Sequence, residues 1–152
     1  MMKARLNPIS FDALKPMLVM SEGVEGNGLE KSLQELVKMR ASQINGCAYC
    51  LDMHSKDARK HGETEQRIYL LNGWRESPLY SDRERAALAW TEALTLVSQT
   101  HAPDSDYEAL KLHFTDEEIV KLTMLIVTIN GWNRIAIGFR SIHPVAKSSV
   151  AA

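Results

Sequence analysis

Apolar residues recur at intervals of three and four along most of the chain, the spacing that gathers them on one face of a helix. The clearest stretch runs from Leu29 to Ile44, where Leu29, Leu33, Leu36, Val37 and Ile44 fall in phase. Before it, Ser10 to Met20 reads as a first helix whose regularity Pro16 limits. Gly23, Gly26 and Gly28 then mark a loop. Asn45-Gly46 ends the second helix, because both residues tolerate the left-handed backbone that a helix stop requires. A third helix is predicted from about Cys47 to His61, ended by Gly62, and a short fourth over Glu63 to Leu71, stopped at Asn72-Gly73.

Polar punctuation marks the remaining helix starts. Ser81 with Glu84 forms a capping box, in which hydroxyl and carboxylate satisfy opposing orphan amides. It opens a helix through Ala86, Leu88, Ala89, Ala93 and Leu96. Ser105 with Glu108, and Thr115 with Glu118, repeat the pattern. The last helix, from about Asp116 to Arg140, is apolar nearly all round as far as Ile129, which predicts a central, buried element. Strand signals, internal repeats and linkers are absent from the sequence. The expected fold is all-α: a compact helical bundle of about six to seven helices, one domain over residues 1–152.

Composition narrows the function classes. Lysine and arginine (18) nearly balance aspartate and glutamate (19), so a net charge of -1 gives no broad attraction to nucleic acid or an anionic membrane. The N-terminus begins with basic residues, but Asn7, Pro8, Asp12 and Lys15 interrupt the apolar run that a secretory signal needs. The longest strongly apolar stretch, Leu122 to Ile129, is too short to span a bilayer. The expected location is the cytoplasm, with no membrane or nucleic-acid partner.

Both cysteines of the chain, 2 in all, lie in one Cys47-Ala48-Tyr49-Cys50 motif. A secreted disulfide scaffold spreads its cysteines, whereas a close pair in a reducing compartment reads as catalytic or metal-binding. Cys47, Cys50 and His54 fall within one arc of a helix, with Leu51 and Ala58. The sulfurs are thus neighbours, and an imidazole lies one turn past the second. That equips the face for reversible thiol–disulfide exchange, since a thiol near pKa 8.5 needs a base or a positive environment to become a thiolate. Two effects compete: Cys47 sits at a helix start, where unpaired amides favour a thiolate, and Cys50 has His54 to take its proton. The residues alone do not choose between them. Structural zinc would require four protein ligands, and His61, His101, His113 or His143 would have to fold back to supply them. No metal or cofactor is expected.

Glu35, then Cys47-Ala48-Tyr49-Cys50 and His54, resembles the signature of the AhpD-like alkylhydroperoxidases of the carboxymuconolactone decarboxylase superfamily. Ser42-Gln43-Ile44-Asn45-Gly46, Gly73-Trp74-Arg75-Glu76-Ser77 and Asn130-Gly131-Trp132-Asn133-Arg134 extend the resemblance over about residues 29–140. It implies a helical domain that assembles into trimers or hexamers. It also implies an oxidoreductase that reduces alkyl hydroperoxides or disulfides at the expense of a dithiol or protein reductant. Under it Cys50 attacks peroxide, Cys47 resolves the product into a disulfide, and His54 with Glu35 relays the proton. Tyr49 stands where the best-characterised members carry histidine, and a phenol is a poor proton carrier at neutral pH.

Periodicity gives other readings beside this one. Glu35 lies off the apolar stripe of its helix, which by pattern alone makes it a solvated surface carboxylate. Arg40 is a charge within that stripe, to be paired with a carboxylate or snorkelled. Asn130 and Asn133 share the buried arc of the last helix and need partners, near the active site or in a structural network. Trp74, Trp90 and Trp132 read as core or interface anchors, and His61 as a helix-end cap. The competing functions are a lactone decarboxylase or related ring-metabolism enzyme, and a non-enzymatic redox-sensing or metal-binding oligomer.

Overall fold

Pro16 does not limit the first helix; it starts it. In the computed structural model, which describes residues 3–145, the chain passes through two 3-10 turns, Pro8–Ser10 and Asp12–Leu14, before α1 (Lys15–Glu25) begins with Pro16 in its first turn. There its missing N–H costs nothing and its fixed φ suits the helix. The expected helix over Ser10 to Met20 is therefore displaced, and Gly23 lies inside α1 rather than in the loop.

Four helices follow close to their predicted places: α2 (Lys31–Asn45), α3 (Ala48–Lys60), α4 (Glu65–Leu70), which continues into a 3-10 turn at Leu71–Gly73, and α5 (Asp82–Thr95). The Ser81 capping box is present in full. A single-turn helix, α6 (Val97–Thr100), was not anticipated and brings the α-helices among the described residues to eight with α7 (Asp104–Lys111) and α8 (Asp116–Phe139). The Thr115–Glu118 box caps α8 as expected. Ser105 does not cap α7: Pro103 holds the N-cap position with extended backbone, and Ser105 lies already within the helix. The fold is all-α, with no strand among the described residues.

The central helix is α2, not α8. Leu33 to Met39 are buried without interruption, because α2 packs against α3, α5 and α8 at once. Leu33 and Val37 join one apolar cluster with Ala87, Leu122 and Ile126, while Leu36 and Met39 join another with Ala58, Leu71 and Leu88. Each fully buried leucine contributes about 1.5–3 kcal/mol of transfer free energy. By contrast α8 is buried on one side only, and Val120 (62% exposed), Met124 and Val127 form an apolar stripe along its outer face. By length and composition α8 would suffice to cross a membrane. It packs instead as a core helix, with its asparagines hydrogen-bonded to α2 and α5.

Two glycines lie at points that shape the layout. Gly131 faces the Met17 side chain of α1, whose methyl would sit 2.9 Å from a Cβ there and would have to swing aside. Gly46, left-handed at φ 70°, ends α2 and turns the chain directly into α3. A Cβ on Gly46 would meet no neighbour within 4 Å, so only backbone strain opposes a side chain. Gly46→Ala is expected to cost about 1–2 kcal/mol and to lower the melting temperature by about 2–8 °C, measured by calorimetry.

Candidate active site

The turn between α2 and α3 sets the positions of both sulfurs. Cys47 is the N-cap of α3, and its Sγ accepts the amide N–H of Cys50 at 3.4 Å. Its own amide donates to the Ser42 carbonyl at 3.0 Å, tying the cap back to α2. Cys47 and Cys50 are joined in a disulfide, with Cα atoms 5.4 Å apart. The Cys47 sulfur thus holds one of the first amides of α3, and His54 lies on the same helix one turn past Cys50.

The asparagines lock this turn in place. Asn45 Nδ2 donates to Asn130 Oδ1 at 2.9 Å and to Asn133 Oδ1 at 2.8 Å. Asn133 Nδ2 donates to Ser42 Oγ, and Asn130 Nδ2 to Thr95 Oγ1, each at 3.0 Å. The network is structural, and it anchors the last turn of α2 to α8 and α5 beside the cysteine motif. Each amide is satisfied, as burial demands. Arg40 pairs within the chain, donating to Glu92 at 2.8 Å and to Gln43 and Asn72. Glu92 also accepts the Trp74 indole N–H, which confirms Trp74 as a core anchor.

Glu35 is the main departure from periodicity. It is 4% exposed, not a surface carboxylate, because α2 has no solvent face at that level. Its Oε2 lies 2.9 Å from His54 Nδ1, and its Oε1 accepts the Lys38 ammonium at 3.0 Å. Burial opposes the charge on Glu35, but the hydrogen bond from His54 and the Lys38 cation outweigh it, holding the carboxyl below its usual range. An ionised carboxylate only accepts, so His54 Nδ1 carries the proton and Nε2 remains to exchange one. Asp57 lies close enough to form a three-ligand cluster with Glu35 and His54. Its carboxylate, however, accepts Lys60 at 2.8 Å, and Glu35 is already engaged by His54 and Lys38.

Cys50 and His54 open onto a cavity of about 670 Å³. Cys50 is only 2% exposed and forms part of the cavity wall. Cys47 lies behind it, packed with Tyr49 and Ala136. Met53, Ile129 and Trp132 make the inner wall apolar, with Tyr49 at its edge. The N-terminal strap also lines the cavity, through Leu6, Pro8 and Ile9, together with Ile142. Arg5 pins that strap to the end of α8, donating its amide to the Phe139 carbonyl at 3.0 Å and its guanidinium to Gly138 at 2.8 Å. Trp132 Nε1 donates to Ser21 Oγ, fixing the indole as cavity wall.

The structure therefore brings Glu35, Cys47, Cys50 and His54 together. Sequence reasoning missed Lys38 and the strap. Lys38 follows Glu35 by three positions, a spacing that flags an ion pair, but its burial had no local signal. The strap has no helical period and so left no trace in the pattern.

Residues 12–93, the segment holding all four of these residues, match the carboxymuconolactone decarboxylase family. The uncharacterised protein YdfG of Bacillus subtilis is 44% identical over 129 residues, covering 85% of this chain and 88% of YdfG. The crystal structure of an Agrobacterium tumefaciens protein of unknown function, for which an AhpD role in antioxidant defence has been suggested, superposes with a TM-score of 0.92. It is 50% identical and covers 95% of this chain and 100% of its own. The alkyl hydroperoxide reductase AhpD of Hyphomonas neptunium is 50% identical over 46 residues, which is 30% of this chain and 26% of that enzyme. The chain belongs to the carboxymuconolactone decarboxylase family and has the AhpD-like fold.

Proposed function

We propose that the protein is a thiol-dependent peroxidase that reduces alkyl hydroperoxides through Cys50 and Cys47. The observation that carries this reading is the bonded Cys47–Cys50 pair whose second sulfur shares a cavity wall with His54, itself held by a buried carboxylate. In the reduced protein His54 Nε2 takes the Cys50 proton, and the thiolate attacks the outer peroxide oxygen. The O–O bond breaks, Cys50 becomes a sulfenic acid, and the proton passes to the departing alkoxide as an alcohol. Cys47, whose sulfur faces a helix amide, then attacks the sulfenic sulfur, forming the disulfide and releasing water. A dithiol donor reduces the disulfide by exchange, and the cytoplasm supplies such donors.

The apolar wall of Met53, Ile129 and Trp132 favours an alkyl group on the peroxide. The exposed stripe Val120, Met124 and Val127 supports assembly of copies into a homo-oligomer, as the resemblance implies.

Cys50→Ser is expected to reduce dithiol-dependent peroxide consumption to background, in an assay following peroxide loss; a rate equal to wild type would end the mechanism. Titration of the reduced protein is expected to show both of its 2 thiols lost to one equivalent of peroxide, with an intramolecular disulfide. Glu35→Gln is expected to slow turnover at least about tenfold, the weight of one pK unit of lost imidazolium stabilisation. Because the folded carboxyl titrates below its unfolded value, its stabilising effect is full above that unfolded value and fades as pH falls through the folded one. Denaturant melts from pH 6 down to about pH 3 should therefore show a steeper loss in wild type than in Glu35→Gln.

A further inference from the structure

We infer that Lys38 is a positioning residue of the relay: its ammonium shares the Glu35 carboxylate with His54 and sets the pH at which the imidazole gives up its proton. The inference deepens the peroxidase reading and rests on it for its functional meaning. Its geometry is independent of that reading.

A lysine is almost never this deeply buried unless its charge is matched. The Lys38 side chain is 9% exposed, and Lys38 lines the same cavity as Cys50 and His54. It sits 3.0 Å from Glu35 Oε1, while His54 Nδ1 sits 2.9 Å from Oε2. Each carboxylate oxygen thus has one partner, and the two partners compete for one negative charge. A carboxylate serving His54 alone would hold the imidazolium tightly and make it a weak proton donor. With Lys38 drawing on the same charge, the imidazolium is held less strongly.

The other charges around this pair stay in place when Lys38 is exchanged, so the change reads Lys38 alone. From α1, Glu25 lies 3.7 Å from Lys38 Nζ, but its side chain is 57% exposed and its field is weakened by water. From α3, the Asp57 carboxylate lies within 4.8 Å of both Glu35 and His54, and exposed Lys60 pairs with it at 2.8 Å. From α5, Glu92 is engaged by Arg40 and Arg75. The residues α8 contributes to the cavity, among them Leu125, Thr128, Ile129 and Trp132, are neutral, as are those of the N-terminal strap. Removing one positive charge beside a proton-binding pair raises its proton affinity, whichever member holds the proton. For a buried charge within several ångströms the shift is about one pH unit or more.

The test uses the disulfide form, in which neither cysteine titrates. The imidazole of His54 is followed by NMR from pH 4 to 9, its signal assigned among the 5 histidines by its loss in His54→Gln. Lys38→Met and Lys38→Gln are expected to raise the His54 midpoint by about one unit, and Lys38→Arg to leave it near wild type. Glutamine can still hydrogen-bond to Glu35 without charge, so it separates electrostatics from anchoring. A midpoint unmoved in both neutral variants, with thermal stability lowered, would make Lys38 a structural anchor and overturn the inference. In peroxide assays the acid limb of the pH–rate profile should rise with the midpoint. An NMR shift without that movement would uphold Lys38 and count instead against the peroxidase relay.

Discussion

Taking a carboxylate out of water is costly unless hydrogen bonds and opposite charge replace its hydration, and Glu35 meets that condition with two partners among the described residues. One comes from its own helix and the other from α3. The requirement therefore does more than satisfy a side chain: it fixes how the cysteine helix lies against the central helix. If α3 were rotated or withdrawn, the His54 contact would be lost and Glu35 would be left with Lys38 alone inside the apolar core. Burial of the charge and placement of the sulfurs are one constraint seen from two sides.

The short segment from Asn45 to Cys50 concentrates several tasks. Asn45 ties the end of α2 to α8, and Gly46 supplies the left-handed turn that a side chain would strain. Cys47 caps the new helix with its sulfur. An ordinary cap would be serine, threonine, aspartate or asparagine, whose oxygen accepts more strongly. A sulfur in that role gives up some capping strength but places a redox atom where helix amides favour its anion.

Much of this was legible in the chain. The Ser81 and Thr115 boxes, the Asn45-Gly46 stop and the Cys47, Cys50, His54 face are set by local chemistry, and the structure has them where local rules put them. What escaped is tertiary. The burial of Glu35 and Lys38 follows from α2 being covered on several sides, and no pattern within α2 announces its neighbours. The same limit misplaced the centre of the fold: α8 is the more apolar helix, but apolarity there serves an outer stripe as well as the core. At α1 the error was of another kind, since a proline can open a helix as readily as break one, and at α7 Pro103 took the capping place that Ser105 offered.

The strap along the cavity divides the labour of the molecule. Glu35, Cys50 and His54 rest on two packed helices, whereas the strap beside them is loop and one 3-10 turn, held at Arg5 by two bonds to carbonyls at the end of α8. Exchanging Leu6, Pro8 or Ile9 for larger or smaller side chains would therefore change the room beside the cysteine helix and leave the contacts among the helices themselves untouched.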